Sequence, residues 1–296
     1  MKWEYLREEE FESAVKRSGG LCVIPIGCIE KHGQHLPVGC DSIHSMGLVE
    51  MAAEMEDVMI FPNAMWLGDV IGYHAIENPG EARRRGGIGM NITTLLTVME
   101  EICDEIARNG FRKILFVNGH GGNNALLTQF IRAQSYTVKP YATMSTRYVD
   151  KYVYPEHMYP LVLERREDFS YLTYEDLEAL RKFSETGVGG GHADWRETAF
   201  MLHFCPDAVD PTKYDAENGQ TNHRTDYLAK EGIQLTNEWS ADFPDAYHGY
   251  PPFGCSANIG KAMATIAAER LARIFKMLKE DEDCVRMAMR LPPLEE

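Results

Sequence analysis

No apolar run in this chain approaches the ~20 residues that span a bilayer. The first stretch, "MKWEYLREEEFES", holds no apolar core of the signal-peptide kind. The expectation is a cytoplasmic protein with no membrane partner. Positive charge is also scarce: 30 Lys and Arg stand against 45 Asp and Glu, a net charge of -15. Such a balance gives no electrostatic grip on nucleic acid, so the expected partner is a small molecule. The seven cysteines are odd in number and form no CxxC pair, which excludes a disulfide framework and a zinc ribbon. Most are read as small buried apolar residues, while Cys28 and Cys40 flank a loop of interest and could approach a metal. Internal repeats, low-complexity segments and clear linkers are missing too. The 296 residues, 44% hydrophobic, are expected to form one domain, with 281–296 as a surface tail.

Strand-like and helix-like segments alternate through the first half. "LCVIPIG" (21–27) reads as a buried strand, and "SIHSMGLVEMAAEM" (42–55) has helical spacing with Asp41 placed to cap it. "DVMIFPN" is a second strand. "NITTLLTVMEEICDEIARNG" (91–110) is an amphipathic helix ended by Asn109 and Gly110, and "RKILFVNGHGGNN" is strand, glycine turn and helix start. This alternation predicts an α/β protein with a parallel sheet and helices on both faces. In the second half, "TMSTRYVDKYVYPEHMYP" and the stretch from "YDAENGQ" to "PPFGCS" read as long loops. A helix is expected over 258–280.

Ligands of open α/β sheets bind beyond the carboxyl ends of the strands. Two motifs lie at such ends, "IEKHGQHLPVGCD" (29–41) and "NGHGGN", which puts Glu30, His32, Asp41 and His120 on one rim. A third segment, "GGGHADWRETAFMLHF" (189–204), adds His192, Asp194 and Glu197 where a glycine run opens a helix. Carboxylates with imidazoles suit zinc or manganese, and iron falls in the same range. Such groups also serve a hydrolase, in which metals lower the pKa of a water and an acid protonates the leaving nitrogen. His192 is the candidate for that acid. His35 is expected to orient its neighbours. Trp195, Tyr73 and His74 are candidates for substrate contact, and Arg83 to Arg85 for a phosphate clamp or a solvated charge run.

"PIGCIEKHGQHLPVGCD", "FVNGHGGN" and "GHADWRETAFML" together resemble the creatininase family of metal-dependent amidohydrolases. The resemblance implies an α/β/α sandwich with a mostly parallel central sheet that assembles as a homo-oligomer, a hexamer in the family's habit. It implies two divalent metal ions per chain, Zn2+ or Mn2+, with Glu30, His32, Asp41, His120 and Glu197 as ligands and Asp41 bridging. Glu197 joins His192 in the catalytic set. Where creatininase carries a glutamate ligand just after the turn histidine, this chain has Gly122, so Glu197 must serve instead. The implied reaction is hydrolysis of a cyclic amide or related C–N bond by a metal-activated hydroxide. Alternatives are deformylation of a nucleotide-derived pyrimidine, opening of a cyclic ketone such as an oxidised inositol, and a binding protein without chemistry.

Overall fold

A computed structural model describes residues 1–70, 86–147, 153–188 and 190–292. Tyr73, His74 and Arg83 to Arg85 lie outside the described residues. Four strands, β1 (Leu21–Ile26), β2 (Met59–Ile60), β3 (Lys113–Asn118) and β4 (Ala142–Arg147), form an all-parallel sheet in the order β2-β1-β3-β4. The helices that matter to the site and its packing are α1 (Phe11–Arg17), α2 (Cys40–Met55), α3 (Ile92–Arg108), α4 (Asn123–Ala133), α5 (Pro155–Glu164), α6 (Tyr174–Glu185), α7 (Trp195–Phe204), the short α8 (Asp226–Ala229) and α9 (Glu238–Asp242), and α10 (Ala257–Glu280).

The sheet is buried on both faces because its central strands are apolar throughout. Leu21, Val23, Leu115 and Val117 turn to one face and pack with α2, α5, α6, α7 and α10. Cys22, Ile24, Ile26, Ile114 and Phe116 turn to the other and pack with α1, α3 and α4. Alternate residues of one strand thus serve two separate cores, the period-two rule applied to a sheet without a wet side. Pro25 sits in a central strand without harm. The Val23 carbonyl accepts from Phe61 N, so Pro25, two residues on, directs its missing donor to the same edge, beyond the end of β2.

Two expectations need correction. The "TMSTRYVDKYVYPEHMYP" stretch is not one loop: it holds edge strand β4 and helix α5. An edge strand that is only partly covered shows no run of apolar residues to announce it, and its burial is mostly partial. Asp41 is not a helix cap. Gly39 stands at the N-cap of α2, without a side-chain cap bond, and Asp41 lies inside the first turn with its carboxylate spent elsewhere.

α7 and α10 cross with almost no room between their backbones. A Cβ at Gly260 would stand 1.9 Å from the Ala199 carbonyl oxygen, so only glycine fits. Gly260→Ala is expected to destabilise the fold by about 1–3 kcal/mol through overpacking, read as a lower urea midpoint with an unchanged slope. An unaltered midpoint would mean that the two helices separate freely.

Candidate metal centre

The chain leaves β1, runs through α2 to β2 on one side, and returns to place β3 on the other side of β1. That reversal between β1 and β3 is the crevice where open α/β sheets bind their ligands. Glu30 and His32 come from the loop after β1, Asp41 from the first turn of α2, and His120 from the turn after β3. Glu197 comes from the first turn of α7. All five are buried there.

Asp41 sits between two groups of potential ligand atoms. One contains Cys28, Glu30, Asp41 and His120, the other His32, Cys40, Asp41 and Glu197, and a third, smaller group joins Glu30, His32 and His192; within each the ligand atoms lie within 4.8 Å of one another. The Oδ1 atom of Asp41 lies 3.1 Å from His32 Nε2 and its Oδ2 lies 2.8 Å from His120 Nδ1. Glu30 Oε1 is 3.2 Å from His120 Nδ1, and Glu197 Oε2 is 3.6 Å from His32 Nε2. The described residues therefore bring together all five expected ligands with Asp41 in the shared position. They also bring in the Cys28 thiol, 3.1 Å from Asp41 Oδ2.

Each histidine is anchored from behind by a main-chain carbonyl. His32 Nδ1 faces the Glu30 carbonyl at 3.1 Å, His120 Nε2 faces that of Asp69 at 2.8 Å, and His192 Nε2 faces that of Lys31 at 2.7 Å. A carbonyl only accepts, so in each ring that nitrogen carries the proton and donates it. The other nitrogen is turned inward, the orientation that metal-binding imidazoles adopt.

The electrostatics point the same way. Burial opposes the charge on Asp41, yet His32 and His120 hold its carboxyl well below the usual range. Burial likewise opposes charge on His32, but Asp41 and Glu197 raise it to about 10. His120 is raised well above its ordinary value, against burial, by Cys28, Glu30 and Asp41. Burial pushes Glu197 up to about 7, with His32 opposing. A buried carboxylate cluster demands positive charge, and without a metal it takes protons on these imidazoles instead. The donor set fits two divalent ions of the zinc or manganese type.

α7 is built to present Glu197. Asp194 caps the helix, Oδ1 accepting from the main-chain N–H groups of Arg196 and Glu197 at 3.1 Å each, so its role is structural. Ala193 adopts a left-handed φ of 57°, which aims its N–H at Glu197 Oε2, 2.7 Å away. A non-glycine residue held there is strained, and the strain fixes the carboxylate's direction. Gly122 supplies no ligand and has no space for one: a Cβ there would fall 2.4 Å from His120 Nε2.

Other expected residues take different places. His35 is buried but lies outside all three groups of potential ligands; its Nε2 meets Thr198 Oγ1 at 3.0 Å, which ties the loop to α7. Trp195 does not line the cavity that opens on the candidate ligands. It is 1% exposed, stacks on Phe183 with centroids 4.1 Å apart, and donates its indole N–H to the Phe253 carbonyl. At the first position of α7 its side chain packs into the core against α6. The aromatic wall is Trp239, on α9, edge-on to His192 at 5.0 Å. Trp239 and His248 line the cavity of about 280 Å³ that opens on Glu30, Asp41, His120 and Glu197. Nothing in "NEWSADFPDAYH" marks them in sequence. They arrive because His192 and His248 exchange main-chain hydrogen bonds of 2.7 and 2.9 Å, which fold the long second-half loop over the site.

His192 lines the same cavity, its Nδ1 3.4 Å from Glu30 Oε1. Burial and the neighbouring His32 lower it to about 4, so at neutral pH it offers a lone pair, not a proton.

Comparison with known proteins follows the geometry. The family model described as "Creatininase: Creatinine amidohydrolase" matches residues 4–275. Creatinine amidohydrolase of Pseudomonas putida is 22% identical over 203 residues, 68% of this chain and 71% of that protein. The mycofactocin precursor peptide peptidase of Mycobacterium tuberculosis is 33% identical over 112 residues, 37% of this chain and 43% of that protein. Among solved structures, a creatininase variant of the Zn-Zn type covers 95% of this chain and 98% of its own, with 17% identity and a TM-score of 0.66. A manganese creatininase gives the same identity and score over 95% and 99%. These likenesses establish the same fold.

Proposed function

Because this chain belongs to the creatininase family, we propose that it is a hydrolase of an amide C–N bond in a small molecule or short peptide, working at a two-metal site. The observation that carries the reading is the convergence of Glu30, His32, Asp41, His120 and Glu197 around one carboxylate, with the imidazoles anchored from behind. Glu30 and His120 would hold one ion, His32 and Glu197 the other, and Asp41 both. Such ions, when bound, lower the pKa of a water and polarise a carbonyl.

The chain's own residues handle the rest. His192 Nδ1 faces the cavity as an acceptor, so it takes a proton from the attacking water and becomes imidazolium beside Glu30, which stabilises that charge. The same Nδ1 then delivers the proton to the leaving nitrogen. Its Nε2–H stays on the Lys31 carbonyl throughout, keeping the ring in place. Trp239 walls one side and limits water.

Two relatives support the bond type without settling the substrate: one is named for creatinine, the other for a peptide, and both names denote hydrolysis at an amide. The test is turnover of creatinine, formamido-pyrimidines, cyclic diketones and short peptides by protein stripped with a chelator and reloaded with Zn2+ or Mn2+. Amide hydrolysis that disappears on stripping and returns on reloading is expected. Cyclic diketones consumed in place of every amide would replace this reading with C–C bond opening. Metal uptake without turnover of any of them would leave a binding protein.

A further inference from the structure

We propose that the lobe adjoining the metal-site cavity is a carboxylate-binding subsite, in which Arg147 holds an anionic group of the amide substrate. The inference rests on the hydrolase reading and narrows its substrate class. This lobe, about 230 Å³, shares His120, Gly121 and Glu197 with the catalytic cavity and continues past them to Asn124, Arg147 and Tyr154. The two cavities meet at these residues, so a molecule whose scissile bond lies against His192 and His120 has this lobe as its neighbour.

The backbone places Arg147 there. It is the last residue of β4, and its registered partner on β3 is Asn118, two residues before His120. Both side chains thus leave the carboxyl end of the sheet at one level. Asn118 donates through Nδ2 to the His120 carbonyl and to Asn124 Oδ1, at 2.8 and 3.2 Å. Asn124 so accepts through its oxygen and presents its amide nitrogen as a donor. The lobe offers that amide, the Tyr154 hydroxyl and the Arg147 guanidinium.

Charge selects the ligand. This is a chain of net charge -15, yet among the described residues lining the lobe two are arginines and Glu197 alone is acidic. Arg196 is engaged with the Gly191 carbonyl at 3.1 Å and stands 3.6 Å from Glu197. Arg147 is exposed and makes no side-chain ion pair among the described residues. A single uncommitted guanidinium in the lobe compensates one negative charge, which matches a monoanion. A planar carboxylate also fits the guanidinium fork.

The test compares N-formylglycine with N-formylglycinamide, and a short peptide with a free C-terminus with its amidated form. For the Zn2+-loaded protein, kcat/KM for the acid is expected to exceed that for the amide by about tenfold or more. Arg147→Ala should bring that ratio close to one, chiefly through KM, and Arg147→Lys should restore part of it. A ratio near one in the wild type, or one that Arg147→Ala leaves unchanged, overturns the subsite while the hydrolase reading stands. If none of these probes is hydrolysed, calorimetric binding of the same pairs decides. Tighter binding of the acid that Arg147→Ala abolishes retains the subsite and counts against the hydrolase reading, whereas equal or absent binding overturns the subsite.

Discussion

Asp41→Asn is expected to reduce the metal content from about two ions per chain to one or fewer and to lower kcat/KM by about a thousandfold or more. The carboxylate is shared by the two larger sets of potential ligands, and both of its oxygens face an imidazole. An amide in its place has one acceptor oxygen and no charge. The nitrogen that replaces the other oxygen cannot bind a cation, so one half of the centre loses its shared ligand outright. The helix itself should persist, because α2 is held by Leu48, Val49 and Ala52 in the core, far along the chain from the site. Far-ultraviolet circular dichroism should therefore match the wild type. Elemental analysis is the deciding measurement: two ions retained by the asparagine variant would remove Asp41 from the bridging position. Glu30→Gln and His120→Ala should each empty one half of the site by the same logic.

The second large effect concerns pH. In metal-free protein His32 is raised from 6.5 to about 10, and His120 moves in the same direction. A folded-state pKa above the unfolded one contributes stability that is fully present below pH 6.5 and is lost as pH rises through about 10. Asp41 works at the other end: its lowered pKa contributes stability above the ordinary aspartate range, lost as pH falls through the folded value. Stripped protein should therefore melt at a lower temperature at pH 9 than at pH 6.5, by roughly 5–10 °C if the histidines contribute a few kcal/mol. Loaded protein should behave in the opposite sense. A divalent ion replaces the imidazole protons, so its affinity rises as pH rises and its stabilisation is lost as acid reprotonates His32 and His120. Melting curves of both forms across pH 5.5–9.5 check this. Parallel curves would show that the protons and the ions do not compete for the same atoms.

The sequence by itself determined the family, the motifs that supply the candidate ligands and the character of the sheet. A glutamate, two histidines and an aspartate at the end of an all-apolar strand, an Asn-Gly-His-Gly-Gly turn at the end of another, and a glutamate in the first turn of a glycine-led helix are local patterns. Each depends on neighbours a few residues away, which is why these motifs are visible in the chain alone. The strands β1 and β3 and the helices α3 and α10 were legible for the same reason: apolar runs and helical spacing are set by burial within one element. Tertiary structure alone decided the remainder. Trp239 faces the site and Trp195 does not, because a main-chain pairing between His192 and His248 folds one loop inward while packing on Phe183 turns the other indole into the core. Asp41 also has a local reading as a helix cap, and the approach of His32 and His120 to its two oxygens sets it among the candidate ligands instead. The edge strand β4 was hidden, since "ATMSTR" carries neither an apolar run nor an alternation along its length, and with it went the position of Arg147. What separates the two groups is the range of the interaction: contacts within a turn leave their pattern in the sequence, whereas contacts across the sheet are fixed only when the strands take their order.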